Sequence, residues 1–487
     1  GRRLTGDVAV QTMSLAGLVF VFALASAAAA PLRPNIVWIM ADDMGWGEVG
    51  LFPAGSEHGR IATPNLDRFG TEGMIFTNAY AGYTVCAPSR TTLFTGRHSG
   101  QFVKHDLSGT QIYPSQNVTL VSEILKSAGY QTALVGKSAP LMVPMEQGFD
   151  YFIGQINQGA CHNMYPHVLD IDDRKVLDLP LNKNNDPSRE RCMAHPEMFN
   201  YTVDVTQTHG VDWMRAAAAA KDPFFLYLSF TIPHAGGWEK QEEQGAPVPT
   251  DGQYADKDWP NVEKDHAAVI TYLDNYIGDF MDALKQLGID NNTLVMFASD
   301  NGAHLEGGHD YKFFNSTGGL TGHKRSLYEG GVRSPSLARW PGVVPAGQTS
   351  DFQWAFWDVL PTFAELAGAA APEGLDGISI VPTLLGEQQA PHEYLYFTWD
   401  GSGVPPLQSP SGAKPASGYA VRSGQWKGIV PHCSSGDSPS LTDDMMLFDL
   451  ERDPFEQTDI AQTHPARVVD LLNLVIAQNL TCSCYQC

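Results

Sequence analysis

Positive charge is scarce in this sequence. Its 487 residues include 31 lysines and arginines against 54 aspartates and glutamates, which gives a formal net charge of −23. Nucleic acid is therefore excluded as a general partner, because phosphate backbones are bound by clusters of basic side chains. An anionic substrate would need a pocket that is locally positive within an acidic protein.

Long hydrophobic runs are missing after the N-terminus. The first 30 residues carry two arginines, an apolar run from Leu15 to Leu24 and an alanine-rich stretch at 27–30. This pattern predicts a cleaved signal peptide at residues 1–30, and the alternative is a membrane anchor. We expect a secreted or lysosomal protein with no stable membrane span after cleavage.

Cysteine is also rare, with 7 residues in the chain. If Cys86 is set aside, six remain that could form three disulfides: Cys161, Cys192, Cys433, Cys482, Cys484 and Cys487. Five N-x-T sequons fit a secreted glycoprotein, at Asn117, Asn200, Asn291, Asn315 and Asn479.

Apolar strand-like runs alternate with helix-like segments over most of the chain. The runs begin near residues 36, 132, 223 and 293, and a helical pattern covers 269–287. This order predicts an α/β fold with a mainly parallel sheet covered by helices on both faces. After about residue 390 the pattern favours an antiparallel sheet and a closing helix. We therefore expect a catalytic domain at 31–388 and a smaller α+β subdomain at 389–487.

Polar side chains follow each predicted strand, and in parallel sheets these ends meet at one edge. The oxygen donors there are Asp42, Asp43, Asp300 and Asn301. Oxygen ligands suit Ca²⁺ or Mg²⁺ rather than zinc. The same residue types also cap helices and turns, so spacing alone leaves both interpretations open.

Basic residues near the same edge could bind an anion. Arg90, Lys137 and Lys324 supply positive charge, and His234 follows a strand and a proline. A histidine there could transfer protons near neutral pH, although a lone histidine is more often structural. Together with Cys86 as a candidate nucleophile, these residues suit transfer of a charged oxyanion group.

The segment "CAPSRTTLFTGR" at 86–97 matches the pattern C-x-P-S-R-x-x-x-x-T-G-R of the formylglycine-dependent type I sulfatases. Further blocks resemble this family in order: "ADDMGWGEVG" (41–50), "GFDYFIG" (148–154), "PFFLYLSFTIPH" (223–234), "FASDNG" (297–302) and "KRSLYEGGVRSP" (324–335). The resemblance covers about residues 34–475 and implies the alkaline-phosphatase-like fold and sulfate-ester hydrolysis.

The resemblance also implies roles for these residues. Cys86 would be oxidised to Cα-formylglycine by a formylglycine-generating enzyme during maturation, and one hydroxyl of its hydrate would attack sulfur. Arg90 would steady this group, and Lys137 and Lys324 would bind sulfate. His234 or Lys324 would protonate the leaving oxygen. The calcium ligands would be Asp42, Asp43, Asp300, Asn301 and the modified Cys86.

Two blocks, at 157–170 and 301–310, resemble polysaccharide-directed sulfatases, so His162, His304 and His309 are predicted to touch a sulfated carbohydrate or aryl sulfate. The family often reads Gly-Lys-Trp-His where this chain has "GKSAP" at 136–140, with Ala139 at the histidine position. That histidine is a candidate base for sulfate release. The preferred candidate to replace it here is His98, and the alternatives are Asp300 and a water molecule.

Two alternatives remain. A phosphonate or phosphodiester hydrolase of the same superfamily would use the same residues, and turnover of aryl sulfate against aryl phosphodiester separates the two. The second alternative is a catalytically inactive, calcium-containing binding protein, and Ala139 is the one sequence feature that supports it.

Overall fold

The computed structural model describes residues 1, 32–53, 55–105, 107, 109–172, 175–237, 245–399, 418–431 and 445–478. The predicted signal peptide and the cysteines at 433, 482, 484 and 487 lie outside these ranges. Among the described residues no disulfide is present: Cys161 Sγ donates to the Gln158 carbonyl, and Cys192 lies in the core. Within the same ranges, no helix combines the length and hydropathy that a bilayer crossing requires.

A ten-stranded sheet forms the centre of the fold. Its strands, in chain order, are β1 (Asn35–Asp42), β2 (Met74–Phe76), β4 (Gln131–Lys137), β5 (Tyr151–Gln155), β6 (Val168–Ile171), β7 (Lys175–Asp178), β8 (Phe224–Pro233), β9 (Thr293–Ser299), β10 (Ser336–Arg339) and β11 (Gln348–Ser350). Their spatial order is β11-β2-β10-β9-β1-β8-β4-β5-β6-β7. The strands β9, β1, β8, β4 and β5 run parallel, and β10, β6 and β7 pair antiparallel. The predicted α/β class with a mainly parallel sheet is confirmed.

Helices cover both faces of this sheet. They are α1 (Pro64–Thr71), α2 (Cys86–Thr95), α3 (Val121–Ser127), α4 (Pro180–Asn185), α5 (Arg189–Ala194), α6 (Thr202–Ala219), α7 (Asn261–Gln286), α8 (Glu329–Val332), α9 (Val359–Ala367) and α10 (Val381–Leu384). Side chains alternate along β1: Val37 and Ile39 pack with α6 and α7, and Ile36 and Trp38 pack with α2, α3 and α9. Because a strand buried on both faces has no polar side, β1 reads as a continuous apolar run.

A separate antiparallel sheet lies near the C-terminus, as predicted. It contains β13 (Leu395–Trp399), β14 (Gly418–Ser423), β15 (Trp426–Pro431) and β16 (Met446–Asp449), and α11 (Pro465–Ala477) packs on one face. The other face packs against Tyr80 and Trp357, beside the short pair β3 (Ala79–Tyr80) and β12 (Trp354–Ala355). Buried Lys427 on β15 pairs with Glu329 at 2.9 Å and with Glu456 at 2.8 Å. These ion pairs hold the sheet next to α8, which begins at Glu329, five residues after Lys324 in the sequence.

Candidate active site

Four neighbouring parallel strands end at the same edge of the central sheet. β1 ends at Asp42 and β4 ends at Lys137, while β8 and β9 end one residue before His234 and Asp300. The order β9-β1-β8-β4 makes these ends adjacent, which brings together residues far apart in sequence.

The predicted metal ligands form one buried group. Asp43 donates its backbone N–H to Asp300 Oδ1 at 3.0 Å, and Asn301 Nδ2 donates to Asp43 Oδ1 at 2.7 Å. Asp43 holds a left-handed backbone with φ of +71°, which turns the chain sharply after β1. Burial and the neighbouring charge of Asp42 raise the pKa of Asp300.

This group fits a hard divalent cation. Asp42 Oδ1 and Asn301 Oδ1 are buried and accept no hydrogen bond from any residue that the structure describes. Ligand atoms of Asp42, Asp300 and Cys86 all lie within 4.8 Å of one another. A cation bound among these oxygens would offset the repulsion between the carboxylates and occupy their unused lone pairs.

Arg90 and Lys137 hold the carboxylates from the other side. Arg90 donates through Nε to Asp300 Oδ2 at 2.9 Å and through Nη1 to Ser229 Oγ, and its Nη2 lies 2.8 Å from the same Asp300 oxygen. Lys137 Nζ lies 2.7 Å from Asp42 Oδ2. Burial opposes charge on Asp42, yet Lys137 and Arg90 hold the pKa of Asp42 well below its usual range. Both cations are fully buried, so these pairs fix the geometry of the group.

His234, Lys324 and His162 form a second group beside the first. Lys324 Nζ lies 2.7 Å from Asp43 Oδ2 and 3.1 Å from His234 Nε2. Because His234 Nδ1 contacts the Ala235 carbonyl, Nδ1 carries the proton and Nε2 faces Lys324. The His162 ring stacks on His234 with centroids 3.8 Å apart, and burial lowers the pKa of both imidazoles.

Glu306 joins this group and was missed by the sequence analysis. Its Oε2 accepts from Lys324 Nζ at 2.8 Å and lies 3.1 Å from His234 Nε2, and its Oε1 pairs with Arg325 at 2.5 Å. Burial opposes its charge, but Lys324 and His234 lower the pKa of Glu306 to about 2. Its position two residues after His304, within a block already singled out, is the signal that could have found it.

Cys86 is the first residue of α2 and lies at a cavity of about 360 Å³. Gln158 Nε2 donates to Cys86 Sγ at 3.2 Å. The other described residues that line the cavity are Val85, Ala87, Pro88, Thr110, Gln111, Arg325 and Trp399. Sequence analysis did not single out Gln158, Arg325 or Trp399 as site residues.

His304 and His309 do not line this cavity. His304 Nε2 faces the Pro233 carbonyl at 3.2 Å, and His309 Nδ1 faces Glu263 at 2.7 Å. His309 also stacks on His266, with centroids 3.6 Å apart and an interplanar angle of 15°, and His266 pairs with Glu48 at 2.6 Å. Glu48, His266, His309 and Glu263 therefore form a buried polar network outside the cavity.

The preference for His98 as the replacement base is wrong. His98 follows the C-terminal end of α2, and the 10-residue helix separates it from Cys86 by about 15 Å. There it packs against Trp357 and against Tyr396 of β13, and burial lowers its pKa to about 4. Asp300 and a water molecule remain as candidates.

Comparison with known proteins gives concordant results. Residues 34–369 match the "Sulfatase" family model, and residues 322–478 match the model "N-sulphoglucosamine sulphohydrolase, C-terminal". The chain is 31% identical over 421 residues to N-acetylgalactosamine-6-sulfatase of Canis lupus familiaris, covering 81% of this chain and 73% of the relative. It is 31% identical over 481 residues to Arylsulfatase A of Homo sapiens, covering 90% of this chain and 85% of that protein.

A solved structure described as Ps i-CgsB superposes with a TM-score of 0.71 at 26% identity, covering 93% of this chain and 94% of that one. A phosphonate monoester hydrolase of Agrobacterium radiobacter, at 18% identity and a TM-score of 0.59 over 92% of this chain and 95% of that chain, shares the fold. The family match over more than half of the chain and the relatives above 30% identity agree: the chain belongs to the sulfatase family of sulfuric ester hydrolases.

Proposed function

We propose that this enzyme removes sulfate from a sulfated carbohydrate, with Cys86, converted to Cα-formylglycine, as nucleophile. The observation that carries the proposal is the convergence of Lys137, Lys324 and His234 on the carboxylate group beside Cys86. The carbohydrate is favoured by the relatives: one is named for an amino-sugar sulfate, and Ps i-CgsB is also solved with k-i-k-neocarrahexaose.

Asp42, Asp43, Asp300 and Asn301 would hold Ca²⁺, with residue 86 as a further ligand. Bound there, the ion would supply Lewis-acid stabilisation of negative charge on oxygen. The hydrate of a formylglycine at position 86 would supply a hydroxyl that attacks sulfur.

Lys137 and Lys324 would bind sulfate oxygens, and both are kept cationic by paired aspartates despite burial. Lys324 Nζ and His234 Nε2 lie 3.1 Å apart, so Lys324 can protonate the departing ester oxygen directly or through His234 Nε2. Arg90 would act by orientation, since its donors are directed to Asp300, Asp42 and Ser229. With Ala139 unable to accept a proton, Asp300 or a water molecule would assist release of sulfate.

The test uses protein secreted from a host that has the modifying enzyme. We expect an aldehyde on the peptide containing residue 86, release of sulfate from a sulfated oligosaccharide, and loss of that release in Cys86→Ala. Cys192→Ala, a cysteine buried in the core on α5, is the matched control and should retain turnover. Unchanged turnover in Cys86→Ala, or faster hydrolysis of an aryl phosphodiester than of an aryl sulfate, would contradict the proposal.

A further inference from the structure

The cavity beside Cys86 carries information about the sugar. A sulfate ester that reaches Cys86 must place the attached ring in this space of about 360 Å³. Among the described residues that line it, Arg325 is the one ionisable side chain besides Cys86. The cavity beside Cys86 therefore carries a cationic side chain although the chain as a whole has a net charge of −23.

The backbone holds Arg325 in an unfavourable conformation. Its φ is +70°, in the left-handed region that residues with a side chain rarely adopt. The conformation is fixed on both sides: Arg325 N donates to the Thr84 carbonyl at 2.9 Å, and Lys324 N donates to the Ala303 carbonyl at 2.8 Å. Strain of this kind persists where the surrounding fold enforces it, and such positions concentrate at functional sites.

The charge of Arg325 is only partly balanced. Among the residues that the structure describes, its one carboxylate contact is Glu306 Oε1 at 2.5 Å. Glu306 also pairs through Oε2 at 2.8 Å with Lys324, which Asp43 contacts as well. One carboxylate therefore serves two cations. A guanidinium has five N–H donors, so Arg325 can bind a further anion without releasing Glu306.

Trp399, at the end of β13, adds an apolar wall to the same cavity. It is 5% exposed, and Tyr83 packs edge-on against it, with ring centroids 6.0 Å apart at an angle of 71°. A rigid indole of this kind suits contact with the C–H face of a pyranose ring, which is flat and apolar.

We propose that the substrate is a pyranoside with two anionic groups. The sulfate to be removed lies at Cys86, the ring contacts Trp399, and the second anion, a sulfate ester or a carboxylate, binds Arg325. The inference rests on the proposed function and specifies its substrate class.

The test compares three sulfated disaccharides that share the ester to be cleaved: one without another charge, one with a second sulfate and one with a uronate carboxylate. We expect wild-type kcat/KM to be at least 10-fold higher for one of the doubly charged substrates. Arg325→Gln should reduce that ratio by about 10-fold or more, mainly through KM. Arg325→Lys should retain part of it, because the charge remains while the forked geometry is lost.

Arg215→Gln is the matched control, since Arg215 is an exposed arginine of α6 paired with Asp212, and it should leave the ratio unchanged. Trp399→Ala should raise KM for all three saccharides, and Trp399→Phe should restore most of the affinity. Which doubly charged substrate responds identifies the second anion. A wild-type enzyme without preference for either, or a ratio unchanged in Arg325→Gln, overturns the inference. If the wild type releases no sulfate from any saccharide, the proposed function fails instead.

Discussion

At the scale of single residues, His98 shows how position decides between catalysis and packing. Its Nδ1 accepts from Gly100 N at 3.1 Å, and its Nε2 is buried 3.5 Å from Asp376 Oδ1. Burial lowers its pKa to about 4, so the folded state resists protonation of this ring. Its contribution to stability is therefore complete above about pH 6.5 and is lost as pH falls toward 4.

We predict that His98→Asn makes the protein less sensitive to acid. Asparagine keeps an acceptor for Gly100 N but does not titrate, so the loss of unfolding free energy between pH 7 and pH 4.5 should shrink by about 1–3 kcal/mol. Denaturant unfolding at several pH values measures this. Asp376, whose pKa is raised to about 6 by burial, titrates in both proteins. Its protonation adds to the stability of the folded state as pH falls, which is opposite to the effect of His98.

The exposed His195, replaced by Asn, is the control and should change nothing. Turnover should survive in His98→Asn, because the side chain lies at the far end of α2. An unchanged acid sensitivity would show that His98 does not titrate as described.

Residues that directly follow predicted strands were the ones that sequence reasoning found. Asp42, Lys137 and His234 could be placed together because parallel strands end at a common edge. Gln158 and Arg325 could not, because they lie in irregular segments whose approach to Cys86 depends on the whole path of the chain. No hydrophobic period marks such residues, and their partners lie far away in sequence.

At the scale of elements, the close pairing of β4 with β8 positions Lys137. Gly136 pairs with Ser229, and a Cβ on Gly136 would lie 2.0 Å from the Ser229 carbonyl oxygen. Gly136 also has a φ of +105°, a conformation that suits glycine alone among common residues. Lys137 follows directly, and its Nζ must reach Asp42 across β8.

We predict that Gly136→Ala costs about 3 kcal/mol or more of unfolding free energy, from the clash and the backbone strain together. It should also lower kcat/KM, since the shifted strand withdraws Lys137 from Asp42. The control is Gly288→Ala after α7, where φ is +68° but no atom lies within 4 Å of the added Cβ. That variant should cost only about 1 kcal/mol and keep full activity. An equal loss of unfolding free energy in the two variants would show that the close contact between β4 and β8 does not determine the cost.

The buried strands and the long helix α7 could be predicted because their apolar patterns are strong and continuous. The short strands at both edges of the sheet could not. β6 and β7 are four residues each with partly exposed side chains, and β2 and β11 have three residues each. Such short edge strands exist through pairing with neighbours rather than through a pattern of their own.

At the scale of the whole molecule, the proposed calcium site joins β1 to β9, two neighbouring parallel strands in the inner part of the sheet. An ion bound only by the folded state stabilises the entire fold by mass action, by about 2.7 kcal/mol at a concentration 100 times its Kd. The boundary between a catalytic domain ending at residue 388 and a C-terminal subdomain beginning at residue 389 remains a prediction from the sequence.

We predict that removing Ca²⁺ with a chelator lowers the melting temperature by several degrees and that added Ca²⁺ restores it. In Asp300→Asn the difference between chelated and calcium-loaded protein should disappear. Asp282→Asn, an exposed aspartate of α7 paired with Arg68, should keep the full difference. Differential scanning calorimetry measures all three proteins, and a melting temperature indifferent to the chelator in the wild type would contradict the site.

The positions of the strands along the chain also determine when each residue of the site is synthesised relative to its partner. Arg90, one turn along α2 from Cys86, is held by Asp300, which is 210 residues further along the chain. At about 5–20 residues per second, a ribosome needs roughly 10–40 s to supply β9 after α2 has emerged. Until then, Arg90 lacks its buried partner Asp300, so the fold that buries Cys86 is not complete. In the finished fold Cys86 is 8% exposed and Arg90 is fully buried, so the proposed oxidation competes with elongation, and faster translation should leave more unconverted cysteine.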